Sequence, residues 1–377
     1  MSNICTFDIG STRIKAALRD TDGKLLIRKI FEFPRQDFDS DLEVSEQIWQ
    51  HVRDLILEIW QKNNFKNLII SCQMAGFSAI DSNGELAAPL IMGLDPRVPL
   101  DHGFDLMVSG VPNGGPSTFG ILNWLRNEYP TLNDKNIRIG GIKEFVLFRL
   151  TGKWITDPAS ASSSGFYDLR TGNWCPETLQ KADIQESQLP QIRAMNSVIG
   201  IALGLFPSSK KQQESIQVFC GTGDGPAANI STGAIGADRA CLSKGTTVVL
   251  RILEKGINQK FKHRPHFIQH VSDEWYCSGL RYTYDENTGC FLSAGDFKLK
   301  LTPEQLILDL QEVLKQMQIS DIRSIGGRNL NLPETWYVSE WGDEIQDGTK
   351  GLDLVAKGFS VQEIRNMIDN ENELGVT

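Results

Sequence analysis

The chain lacks any apolar run approaching the roughly 18 residues that would span a bilayer, which excludes a membrane-spanning helix. It contains no G-x-x-x-x-G-K-[ST] sequence and so is not a P-loop enzyme. It has no C-x-x-C pair. The seven cysteines (Cys5, Cys72, Cys175, Cys220, Cys241, Cys277 and Cys290) are scattered, and they are expected to be reduced packing residues of an intracellular protein. Nor is there an excess of positive charge: 38 Lys and Arg against 47 Asp and Glu leave a formal charge of -9, which would repel a nucleic-acid backbone. No signal-peptide pattern precedes the first apolar segment, because Met1-Ser2-Asn3 runs directly into residues that end at Asp8. A cytoplasmic location without a membrane partner is therefore expected, and a homodimer is left open.

Histidine is also scarce. Of the five, His263, His266 and His270 cluster, but Pro265 interrupts them and Phe267 to Val271 reads as a strand, so a structural or surface role is expected ahead of a metal site. What the chain does have is length. With 377 residues, 40% of them hydrophobic and 23% charged, it exceeds what one core usually serves, and two domains with a ligand-sized cleft are expected.

The opening reads as a strand from Ile4 to Phe7, a Gly10-Ser11-Thr12 turn, a strand from Ile14 to Leu18, and a turn at Asp22-Gly23 into Leu25 to Ile30. Val44, Ile48, Val52, Leu55, Ile56 and Ile59 then recur at helical spacing, and strands follow at Leu68 to Ser71 and Phe77 to Ile80. The small polar run Ala159 to Ser164 reads as an ordered loop because its flanks are aromatic, with a flexible linker as the alternative. A strand near Val218 leads through Gly223-Asp224-Gly225 to a helix start at Ala227. Residues 240–252 repeat the strand-turn-strand plan of the amino terminus, which suggests a second domain built like the first. Thr302-Pro303-Glu304-Gln305 predicts a capped helix with Leu306, Leu310, Val313, Leu314 and Met317 buried. The tail from Ser360 reads as a polar, frayed helix with an exposed acidic end.

Asp8-Ile9-Gly10-Ser11-Thr12-Arg13-Ile14-Lys15 has what a phosphate-holding hairpin needs: small residues whose backbone can approach an anion, hydroxyl donors, a cation, and a carboxylate for Mg²⁺. A plain turn with a solvated lysine is the alternative. Gly245-Thr246-Thr247 is a second hairpin of the same kind, and the two could grip one polyphosphate across a cleft. Asp224 lies between glycines just before a helix start, a setting that suits a carboxylate base for phosphoryl transfer and suits a helix cap equally well.

Together these segments resemble the FGGY family of carbohydrate kinases, in order as well as in motif. Asp8-x-Gly10-Ser11-Thr12-x-x-Lys15 is similar to the first phosphate loop, with Ser11 where Thr is usual. Ser71-Cys72-Gln73-Met74-Ala75-Gly76 is similar to S-G-Q-M-H-G, and Asp95-x-Arg97 to the W-x-D-x-R that follows it. Leu150-Thr151-Gly152, Thr156-Asp157, Phe166-x-Asp168 and Trp174 resemble the middle signature, Gly223-Asp224-Gly225 the catalytic-base motif, and Gly245-Thr246-Thr247 the second phosphate loop. The resemblance runs from residue 6 to about residue 252. It implies two actin/Hsp70-like, ribonuclease H-like α/β domains with a cleft between them, here residues 1–236 and a reduced second domain, 237–377. It implies phosphorylation of a sugar or sugar acid by ATP, gluconate or a ketopentose such as xylulose being favoured. Asp224 would be the base; Gln73, Met74, Ala75, Asp95 and Asp224 would line the sugar site. Asp8, Gly10, Ser11, Thr12, Lys15, Gly245 and Thr246 would hold the nucleotide phosphates, with Asp8 toward Mg²⁺. Gly326-Gly327 faintly resembles the loop that lies against adenine, Arg328 replacing a small residue there; a glycine turn is the alternative.

Three departures qualify the resemblance: Ala75 stands where His is often seen, Gly93 where Trp precedes Asp95, and the second half is short. They motivate a competing expectation, a non-catalytic sugar or nucleotide sensor; a third and more remote one, an actin- or Hsp70-like ATPase acting on protein partners, stands because a phosphate hairpin alone does not separate these classes.

Overall fold

The computed structural model describes residues 2–32, 42–93, 95, 97–99, 107–112, 115–206, 215–244, 247–257, 261, 264, 266–293, 296–325 and 349–373. The chain opens with β1 (Ile4–Ile9), β2 (Arg13–Arg19) and β3 (Leu25–Glu32), a meander as its turn residues require. β1 is buried along its whole length because the sheet is covered on both faces, whereas β3 alternates half-buried and exposed residues as an edge strand does. The helix α1 (Leu42–Asn63) buries Ile48, Val52, Ile56 and Ile59, one stripe at helical spacing, and returns the chain to β4 (Asn67–Cys72), parallel to β1.

A layer of smaller elements follows, including α2 (Ile142–Thr151) and α3 (Pro158–Ser162). The serine-rich run is thus neither loop nor linker. Asp157 caps it by accepting from the N–H groups of Ala159 and Ser160, and the small side chains let a helix form in a crowded place. The first sheet is completed by β5 (Val198–Ile201), β6 (Gln217–Phe219) and β7 (Thr222–Gly223), after which α4 (Asp224–Thr232) begins. Its strand order is β5-β6-β4-β1-β2-β3, with β7 also on β4.

The second sheet repeats the plan. β8 (Arg239–Lys244), β9 (Thr247–Lys255), β10 (Phe267–Ser272) and β11 (Trp275–Asp285) form antiparallel pairs, extended by β12 (Cys290–Ser293) and β13 (Asp296–Leu301). The helix α5 (Pro303–Gln316), with the capping box Thr302/Gln305, then leads to β14 (Asp321–Ile325), parallel to β8 as β4 is to β1. Two meanders, each followed by a helix and a parallel strand, make two actin-like α/β domains.

The chain finally crosses back. α6 (Thr349–Ala356) packs on α4, β1 and β4, and α7 (Val361–Glu373) follows it. Leu352, Val355, Val361 and Ile364 are buried in one cluster with Ile4, Ile69, Ala227 and Ile230, so the start of the tail helix is anchored rather than frayed. The domains also meet at a seam. Ile268 of β10 donates its N–H to the Gly110 carbonyl (2.9 Å), His270 donates its N–H to Ser162 Oγ (3.0 Å), and the His270 ring is bonded to the Tyr167 hydroxyl (2.6 Å).

Candidate active site

The register of three parallel strands assembles the floor of the site. Asp8 lies beside Ser71, and Ser71 beside Thr222. Ser71 Oγ donates to Asp8 Oδ1 at 2.7 Å, and Lys15, the cross-strand partner of Asp8, brings Nζ to 3.5 Å from Oδ2. The carboxylate is therefore fixed from one side and charge-balanced from the other. The tip Gly10-Ser11-Thr12 is closed by the Gly10 N–H donating to the Arg13 carbonyl (2.9 Å), which leaves the hydroxyl of Thr12 exposed.

Asp224 is brought to the same floor by a loop that only glycine permits. Gly221 has φ +68°, and a Cβ there would stand 1.8 Å from the Ile70 carbonyl oxygen. The N-cap of α4 is Gly223, with no side-chain capping bond, so Asp224 is the first helical residue and not the cap. Burial pushes its pKa above the ordinary carboxylate value. Arg251 opposes that shift, Asp8 adds to it, and a hydrogen bond from the Gly225 N–H and the Arg281 charge oppose it again.

Behind this loop lies a dry polar network that the sequence did not announce beyond Thr156-Asp157. Lys143, 2% exposed, donates to Asp157 Oδ1 at 2.7 Å and to the Cys220 carbonyl at 3.4 Å. Asp157 Oδ2 accepts from Thr222 Oγ1 (2.8 Å), and Thr156 donates to Glu144 (2.6 Å), whose other oxygen caps α2 at Gly141. The network ties α2 and α3 to β7, which leads into Asp224; Lys143 and Glu144 are neighbours on α2 and Asp157 caps α3, a pattern with no sequence periodicity to reveal it.

Asp8, Gly10, Ser11, Thr12, Lys15, Gln73, Met74, Ala75 and Asp224 all line one cleft of about 620 Å³, whose opposite wall is the second domain. Ser243, Lys244 and Thr247 mark the end of the second hairpin there; Gly245 and Thr246, like Gly326 and Gly327, lie outside the described residues. Asp95 is not brought to the cleft. Its carboxylate is held in a fork by Arg97 (2.6 to 3.2 Å), whose guanidinium stands over Trp124. At Gly93 a Cβ would meet the carbonyl oxygens of Met74 and Ala75 at 2.5 and 2.8 Å, so this backbone has folded into the place an indole would need. Ala75 itself holds φ +61°, a strained value for alanine. Sequence reasoning missed Val249, Phe267, Gln269 and Arg281, which line the cleft from β9, β10 and β11 together with Arg251, the arginine that follows the second phosphate loop; their alternation along those strands was the available signal.

Mg²⁺ with a nucleotide fits this donor set. Among the described residues no group of three or more His, Cys, Asp or Glu side chains gathers, and Mg²⁺ characteristically takes one or two protein carboxylates plus phosphate oxygens and water. Asp8 supplies such a carboxylate beside a hairpin rich in backbone N–H groups.

Residues 109–231 match the N-terminal domain of the FGGY family of carbohydrate kinases. The xylulose kinase of Staphylococcus xylosus is 21% identical over 298 residues, 74% of this chain and 61% of that protein. The gluconokinase of Bacillus subtilis is 23% identical over 270 residues, 65% of this chain and 51% of that one. The chain spans about three fifths of the length of the xylulose kinases it matches. Among solved structures, ligand-bound xylulose kinase from Lactobacillus acidophilus superposes with a TM-score of 0.76 at 19% identity, covering 96% of this chain and 91% of that one. Plasmodium falciparum glycerol kinase with ADP gives 0.74 at 16% identity, covering 97% and 92%. Similarity to these proteins thus extends across sequence and fold.

Proposed function

We propose that this relative of the FGGY carbohydrate kinases transfers a phosphoryl group from ATP to a hydroxyl of a sugar or sugar acid in the cleft between residues 1–236 and 237–377. The observation that carries this reading is the convergence of Asp8, Lys15 and the Gly10-Ser11-Thr12 hairpin with Asp224 on one cleft that a second hairpin borders from the other domain. Bound Mg²⁺ would supply charge neutralisation at the transferred phosphoryl group, with Asp8 toward the metal and Lys15 beside it. Asp224 accepts the proton of the acceptor hydroxyl as its oxygen bonds to phosphorus, and the bond to the departing diphosphate breaks. Its raised pKa strengthens it as a base, while Arg251 and Arg281 favour its ionised form against the burial. Met74 packs over Gly223 and Gly225, and Gln73 and Ala75 stand beside it on the acceptor side.

The test is ADP release in a coupled assay with Mg²⁺ and a panel of sugars, polyols and aldonates. At least one acceptor should stimulate turnover, and Asp224→Asn should lower kcat by about 100- to 10,000-fold. Turnover unchanged in that variant refutes the assignment. A second reading, a sensor that binds sugar without transfer, is favoured by the altered acceptor loop: Gly93 folded against residues 74 and 75, and Asp95 held by Arg97 away from the cleft. It requires acceptor binding by calorimetry with no ADP formed.

A further inference from the structure

The second domain turns one face of its sheet toward the cleft. Arg251 lies opposite Gly279, Gly279 opposite Phe267, and Val249 opposite Arg281, so these residues share a face, and Gln269 follows Phe267 on it by one alternation. Three buried polar atoms on this face have no hydrogen-bond partner among the described residues: Arg251 Nε, Arg281 Nε and Gln269 Oε1. Arg251 is 8% exposed and Gln269 6%, and all three residues line the cleft. Buried polar groups are nearly always satisfied, and orphans gathered at a ligand cleft mark the atoms a ligand satisfies.

We propose that Arg251, Arg281 and Gln269 form an acceptor subsite for a polyhydroxy acid, the two guanidinium groups taking its carboxylate and the Gln269 carbonyl accepting from one of its hydroxyls. The subsite lies on the acceptor side because Arg251 Nε and the Met74 methyl both close on Gly225, 2.8 and 3.1 Å from where its Cβ would be, next to Asp224. Arg251 is preset by donating from Nη1 to Ser243 Oγ at 2.6 Å. A guanidinium fork matches a planar carboxylate, and two adjacent cations beside a single base carboxylate are best balanced by an anionic ligand. Burial lowers the Arg281 pKa to about 10, Arg251 adding to the shift and Asp224 opposing it, so Arg281 remains charged at neutral pH. A phosphoryl group also offers anionic oxygens, but fully ionised it brings no donor for Gln269 Oε1. A sugar acid brings both.

The proposal rests on the kinase reading for the acceptor's chemistry, and its test does not use turnover. Calorimetry on nucleotide-free protein compares aldonates with alditols of the same carbon number, D-gluconate with D-glucitol and D-xylonate with D-xylitol. An aldonate should bind about 10- to 100-fold tighter than its alditol. Arg281→Gln should erase that preference while leaving ADP affinity unchanged, and Arg281→Lys should restore part of it. If wild-type protein binds no aldonate, or binds it no better than the alditol, the subsite is wrong. It is equally wrong if Arg281→Gln weakens ADP or a non-hydrolysable ATP analogue and spares the aldonate. Should the variants fail to fold, the wild-type preference decides alone. Tight aldonate binding without phosphoryl transfer would count against the kinase reading and leave this subsite standing.

Discussion

Replacing Lys143 by Met tests whether the buried network holds the Asp224 loop. Lys143 and Asp157 are 2% and 0% exposed and joined at 2.7 Å, so removing the ammonium leaves a carboxylate in a dry interior. Breaking a buried pair from one side costs about 3–5 kcal/mol. Asp157 retains the Thr222 hydroxyl at 2.8 Å and two helix N–H groups at 3.1 and 3.4 Å, which places the loss near the lower end, about 3 kcal/mol. For a domain of this size that is a fall in Tm of about 6–12 °C. Asp157→Asn in the same chain removes the stranded charge and should recover about 1–3 kcal/mol in a double-mutant cycle. Burial alone would pull the Lys143 pKa down, but Asp157, Cys220 and Glu144 more than reverse this, and it stands above the ordinary lysine value. Stability from a raised pKa is complete below the ordinary value of about 10.4 and fades only as pH rises through the folded one, so the difference between the two proteins should be flat between about pH 6 and 9. Thermal melts across that range, with kcat measured alongside, provide the assay. A Tm shift under about 2 °C with kcat unchanged would refute the reasoning.

Three further outcomes follow from the same geometry. Because the Asp224 pKa is raised and the base must be ionised, kcat/KM should fall as pH drops through a value above the ordinary Asp pKa of about 3.9, and the residual rate of Asp224→Asn should lack this acid limb; a limb at or below the ordinary value, or its persistence in the variant, argues against Asp224 as the titrating group. Ala75→Gly relieves a left-handed alanine and should raise unfolding stability by about 1 kcal/mol, read as a higher Tm; a decrease means the strain is absent. Gly221→Ala forces a Cβ onto the Ile70 carbonyl and should cost more than about 1 kcal/mol together with activity, whereas a silent substitution would mean that the loop does not need its left-handed turn.

Much of the architecture was legible because local signals agreed with the global plan. The apolar run Ile4–Ile9, its polar turn, and the echo at residues 240–252 disclosed two like domains, and the Thr302 box with its stripe disclosed α5. Asp8, the Gly10-Ser11-Thr12 tip and Asp224 were legible as small-residue turns next to acids. The serine run of α3 was not, since its helix depends on Asp157, itself held by a lysine from another element. The α7 anchor escaped because two buried residues, Val361 and Ile364, suffice when a hydrophobic surface already awaits them. Arg281 and Gln269 escaped because a strand's outward and inward residues cannot be told apart until the facing domain is known. Asp95 shows the opposite failure: a motif position occupied by the expected residue, whose carboxylate a neighbour two residues on has claimed.

The return of α6 to the first sheet makes the earliest part of the chain wait for the latest. Ile4 and Ile69 share one buried cluster with Leu352 and Val355, which follow every described strand of the second domain along the chain. On a ribosome, the amino-terminal lobe would emerge with an uncovered apolar flank, a surface for chaperones to shield or for aggregation to exploit. A recombinant fragment ending before residue 349 would carry the same wound permanently.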